Sequence, residues 1–128
     1  MRLILAGLCA ASFVLSAVPA MAEEGRYLFN VVKTDPYRSA FNRMIAALRK
    51  TEPWLDNGVT APSVTVVARG LRFEVFSICQ PHNCSDNHMQ VLFSPDSTRA
   101  YGVLMTPNGA RVFGGPNAAQ LQALASAF

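Results

Sequence analysis

Six residues, Cys79-Gln80-Pro81-His82-Asn83-Cys84, restrict this chain more than any other stretch. Two cysteines bracket a proline and a histidine. If the sulfurs are joined, the tether is too short for anything but a rigid loop with His82 at its tip. Whether they are joined depends on the compartment, and the other end of the chain bears on that. Met1-Arg2 gives a positive start, residues 3–18 are almost wholly apolar, and Pro19-Ala20-Met21-Ala22 supplies an A-x-A cleavage pattern. The combination predicts a secretory signal peptide over residues 1–22. Its apolar run is too short to span a bilayer as a helix, so no membrane anchor is expected. Export without an anchor points to the bacterial periplasm or the exterior. Of the 3 cysteines, Cys9 leaves with the signal. The other two meet an oxidising compartment, which predicts a Cys79–Cys84 disulfide.

The remaining residues, 23–128, have the length of one domain with a modest core. The 11 Lys and Arg lose Arg2, so 10 face 8 Asp and Glu, a net charge of +2. No basic run is long enough to suggest nucleic acid.

Along the chain, residues 23–33 are compatible with a strand or a helical turn. Asp35 can cap a helix, and Pro36 suits its first position. Tyr37, Phe41, Met44, Ile45 and Leu48 then share one face at helical spacing, which predicts a helix over 36–50. Pro53-Trp54 and Asp56-Asn57-Gly58 form a loop that Pro62 ends, with Trp54 read as packing. A β-branched run over 64–68, the Arg69-Gly70 turn and the alternation of Leu71, Phe73 and Val75 with Arg72 and Glu74 read as a hairpin. Strands follow over 88–93, 99–106 and 111–113, with Pro107-Asn108-Gly109 as a turn. Asn117 and Gln120 make a capping box for a last helix, with Leu121, Leu124, Ala125 and Phe128 on its apolar face. Helix, antiparallel meander, helix is an α+β order.

Four residues near the loop can ligate metal: Cys79, His82, Cys84 and His88. Their spacing matches no strong zinc pattern, and oxidation consumes both thiols, so no metal or cofactor is expected. Ser77, Ser85 and Ser94 lack a nucleophile-elbow context. Asp86 and His88 have no evident third partner. The carboxylates are scattered, so the chain is not expected to be an enzyme. His82 has two readings: a solvated loop histidine, or a side chain presented by a small ring that has already lost the entropy of being ordered.

The residues also resemble a known family, the bacterial periplasmic inhibitors of vertebrate lysozyme. The resemblance rests on Phe41-Asn42-Arg43-Met44, Pro53-Trp54, Gly58, Pro62, Val91 and Phe93, and above all on Cys79-x-Pro81-His82-x-Cys84. It implies a curved antiparallel sheet of about five strands with helices packed on one side and a protruding, disulfide-closed loop. It implies that the loop, Cys79, Gln80, Pro81, His82, Asn83 and Cys84, plugs the cleft of a C-type lysozyme, with His82 reaching the catalytic carboxylates. Family members are often homodimers, so a homodimer is implied as well. Two positions depart from the pattern: Gln80 stands where the family usually has lysine, and Asn83 where it usually has aspartate. Losing an acidic contact is expected to weaken steering toward a basic lysozyme. The alternative partner class is the cell's own murein-cleaving enzymes, such as lytic transglycosylases, and a third reading is a small metal-binding periplasmic protein.

Overall fold

The computed structural model describes residues 24–127 together with Val14 and Ser16. Apart from those two, the expected signal peptide lies outside the described residues. Among the described residues no helix is long and apolar enough to cross a membrane.

The fold is α+β. Strands β1 (Val59–Ala68), β2 (Leu71–Cys79), β3 (His88–Phe93), β4 (Ala100–Thr106) and β5 (Gly109–Phe113) form one antiparallel sheet in sequence order. Each strand pairs with its neighbour in the chain, so every connection is a local reversal. The turn residues at 69–70 and 107–108 fall where the sequence puts them.

Two helices precede the sheet. Residues Leu28–Val31 form a single turn, α1, which settles the ambiguous lead-in as helical. Helix α2 runs over Tyr37–Ile45. Asp35 holds its start, since Oδ1 accepts from the Ser39 amide at 3.0 Å. The helix expected to reach residue 50 instead tightens into a 3₁₀ turn at Ala46–Leu48. In a 3₁₀ turn positions i and i+3 eclipse. Leu48 therefore stands over Ile45, and both are buried. A second 3₁₀ turn, Pro53–Asp56, buries Trp54 and Leu55. The indole N–H of Trp54 donates to Glu52 at 2.7 Å, so the ring packs without an orphaned donor. Helix α3 (Ala118–Ser126) closes the chain, with both hydrogen bonds of the Asn117/Gln120 capping box formed.

The helices cover both faces of the sheet, not one. Phe76 and Ile78 of β2, Met89 and Val91 of β3 and Leu104 of β4 pack with Leu28, Phe41, Ile45, Leu48, Trp54 and Leu55. The residues between them in the two-residue strand repeat, Val75, Leu92, Tyr101 and Val103, pack with Ala123 and Leu124 of α3. Strand β1 also begins earlier than its β-branched run, at Val59. Its register is interrupted between Ala61 and Val64. Pro62 sits in that interruption and bridges to Tyr27. A proline cannot donate to a ladder and is tolerated at such an edge.

Candidate functional site

Strand β2 ends at Cys79 and β3 begins at His88, and these two residues are the last register pair between the strands. The reversal between them is the six-residue segment and three residues more. Cys79 and Cys84 are joined by a disulfide, with Cα atoms 4.9 Å apart. Closing so short a ring removes only about 2 kcal/mol of unfolded-chain entropy. Its consequence is shape.

Backbone bonds fix that shape. The Gln80 amide donates to the Asn87 carbonyl at 2.9 Å, continuing the ladder one step past the strands. The Asn83 amide donates to the Gln80 carbonyl at 3.0 Å, closing a four-residue turn with Pro81 and His82 at its centre. Pro81 sits where proline is favoured, at the first central position. His82 has φ of 64°. A positive φ at the second central position is the pattern of a type II turn, where glycine or asparagine is usual. A non-glycine residue there costs roughly 1–2 kcal/mol. The ring and the turn together hold His82 in that conformation and leave both Pro81 and His82 exposed.

Side chains tie the loop from below. The Gln80 side-chain carbonyl accepts from Asn83 Nδ2 at 3.1 Å and from Asn87 Nδ2 at 2.9 Å. His88 Nδ1 lies 2.9 Å from the Cys84 carbonyl. Gly58, next to the strand partner of Cys79, seats the base. A Cβ on it would fall 2.7 Å from the Cys79 carbonyl oxygen and 2.9 Å from that of Trp54. Beside the disulfide an open, mostly apolar groove is lined by Val59, Ala61, Ile78, Cys79, Cys84 and His88.

All six loop residues singled out from the sequence therefore converge on one exposed reversal. Bonding the two sulfurs to each other withdraws them as thiolate ligands for the metal alternative. Among the described residues no group of three or more His, Cys, Asp or Glu is placed to hold a metal ion. Glu74, read as part of a solvated face, has partners: Arg26 and the Ser63 hydroxyl donate to its carboxylate. Those bonds, the Arg26 one foremost, hold its pKa below the usual carboxylate value. Asn87 joins the site without having stood out in the sequence. Its signal was a third amide side chain just beyond the ring, with no chemistry of its own until the fold brings it to Gln80.

Comparison with known proteins gives one family. Residues 36–126 match the family described as inhibitor of vertebrate lysozyme (Ivy). An "Inhibitor of vertebrate lysozyme" from Pseudomonas aeruginosa is 29% identical over 87 residues, covering 66% of this chain and 57% of the relative. The protein of the same name from Escherichia coli K12 is 30% identical over 91 residues, covering 70% of this chain and 57% of its own length. An uncharacterised P. aeruginosa protein is 27% identical over 114 residues, covering 85% of this chain and 71% of the relative. The chain thus spans just over half the length of these two inhibitors.

Proposed function

The chain belongs to the inhibitor of vertebrate lysozyme family, and from that premise we propose that it inhibits C-type lysozyme by inserting the His82 loop into the active-site cleft. The observation that carries this reading is the presentation of His82: exposed, at the tip of a disulfide-closed turn, held at a positive φ. Arg69 and Ser97 also have positive φ in plain turns, so what sets His82 apart is its exposure on a covalently closed ring.

The chemistry fits the target. C-type lysozyme works with two carboxyl groups, one protonated as general acid and one ionised. A neutral imidazole has one N–H and one bare nitrogen. It can donate to the ionised carboxylate and accept from the protonated acid, so one ring occupies both groups. A loop ordered before binding loses little further entropy on insertion. Neither step needs a nucleophile or a metal, so the chain acts as a plug and not as a catalyst. The oxidising compartment that the disulfide requires is the periplasm, reached by the signal peptide read over residues 1–22.

The test is a titration of oxidised protein into a C-type lysozyme, following lysis of a cell-wall suspension. Stoichiometric loss of lysis, relieved by an oligosaccharide substrate that competes for the cleft, is expected. Undiminished lysis at large molar excess would overturn the proposal.

A further inference from the structure

We propose that Gln80 is the positioning residue of the loop: its side-chain carbonyl, accepting from Asn83 and Asn87 together, holds His82 in the competent conformation without touching the partner. The inference rests on the loop-insertion reading above.

The disulfide alone does not do this. It closes residues 79–84, but Asn87 lies outside the ring. Gln80 Oε1 is the atom that joins the two parts. One of its donors, Asn83, directly follows His82, and the other, Asn87, is on the arm that leads into β3. A carbonyl oxygen has two lone pairs, and both are used here. The backbone repeats the connection, since Gln80 N–H donates to Asn87 and Asn87 N–H donates to Asn83. Gln80, Asn83 and Asn87 are half-buried while Pro81 and His82 are exposed. The three amides thus form a platform under the tip and are not part of the tip itself.

This arrangement also explains why glutamine and asparagine occur together in this loop. Asn83 is used as a donor, which an aspartate cannot be. Gln80 is used as an acceptor, which a lysine cannot be. The two are a matched neutral pair.

The consequence is kinetic. If the platform is lost, fewer loops are competent at any moment, and apparent affinity falls by the competent fraction. The on-rate falls while the complex, once formed, dissociates as before. Two hydrogen bonds at ordinary net strength correspond to a loss of about thirty-fold in on-rate.

The test compares Gln80→Leu, which has no acceptor, with Gln80→Glu, which keeps acceptor oxygens at the same reach. Amide hydrogen exchange at Asn83 and Asn87 is measured on the free protein. Association and dissociation with a C-type lysozyme are measured at high salt, where the added charge of the glutamate is screened. Gln80→Leu is expected to speed exchange at both amides and slow association about thirty-fold, with dissociation unchanged and melting temperature lowered only by the several degrees that two hydrogen bonds account for. Gln80→Glu is expected to restore both readouts. Faster dissociation with unchanged exchange would overturn the inference, because Gln80 would then be touching the partner. So would failure of the glutamate to rescue. If the unaltered protein does not bind lysozyme, the functional reading fails, and the exchange arm still decides whether Gln80 orders the loop.

Discussion

His82 concentrates the cost and the purpose of the loop in one residue. Its left-handed backbone is a position where glycine would rest without strain, and the loop carries histidine there nonetheless. This separates stability from function at a single site. His82→Ala removes the imidazole and keeps the strained backbone, while His82→Gly removes both. Each is expected to weaken lysozyme inhibition about ten-fold or more, the scale of one hydrogen bond to a charged group. Only the glycine variant also relieves the backbone, so it should melt at or above the temperature of the alanine variant. Inhibition assays and thermal melts on the pair check this. Inhibition that survives both substitutions would mean that the loop tip is not the plug, and a melting temperature that collapses in both would make His82 structural. At the same scale, Asn83 shows what a sequence hides. Compared with the family pattern it is a missing charge. In the fold its Nδ2 donates to Gln80, and that role exists only when the chain reverses.

At the scale of elements, most of what supports the loop was legible, and the exceptions have physical causes. The capping box of α3 and the hairpin turns are local chemistry, settled within four residues, and they are present. The first five residues of β1, 59–63, were not legible. Val59, Thr60 and Ala61 pair with Cys79, Ile78 and Ser77 across a long sequence separation, and Pro62 reads locally as a stop. The covering of both faces was signalled in part. Met89 to Leu92 is buried without a break, as expected of a strand enclosed on two sides. Gln90 disguises it, since its polar side chain is buried against α3 and donates to the Ala127 carbonyl at 2.8 Å. Gly58 is the element-level test. It brings the Trp54 turn into contact with the arm that carries Cys79, and a Cβ would also fall 2.7 Å from Ile78 Cγ1. Two of the three nearest atoms are backbone oxygens that cannot rotate away. Gly58→Ala should therefore lower the free energy of unfolding by about 1–3 kcal/mol, the usual cost of forcing an extra carbon into a packed site. Urea unfolding measures it, and a midpoint equal to that of the unaltered protein would show that the turn can move aside.

For the whole molecule the loop and two of the acid-sensitive carboxylates, Asp96 and Glu74, lie toward opposite ends of the sheet. The β3–β4 turn at residues 94–99 is at the far end from Cys79 and His88. There Asp96 accepts from Ser94 and Thr98, which lowers its pKa to about 2. Glu74, paired with Thr65 toward the same end of β2, is held below its ordinary value by Arg26 first and by Ser63. The Arg26 guanidinium also lies over the rings of Tyr37 and Phe76, so this ion pair ties the segment before α1 to the sheet. Asp35, at the start of α2, is lowered by Ser39 and Arg38. All three shifts have the same sign. A carboxyl whose folded pKa lies below its unfolded one stabilises the fold fully above the unfolded value and loses that contribution as pH falls through the folded one. The ordinary values are 3.8 for aspartate and 4.5 for glutamate. Melting temperature should therefore be flat above about pH 5 and fall steadily toward about pH 2. Glu74→Gln should melt lower than the unaltered protein near neutral pH and converge with it in acid, because the substitution has already removed what acid removes. Thermal melts across the range on both proteins check this. A constant gap between the two curves would show that Glu74 acts through packing and not through its charge. Around the His82 turn the side-chain bonds run between the neutral amides of Gln80, Asn83 and Asn87. Acid should therefore loosen the far end of the sheet before it loosens the loop, and amide exchange at residues 94–99 should accelerate at a higher pH than exchange at Asn83, relative to the intrinsic rate at each pH.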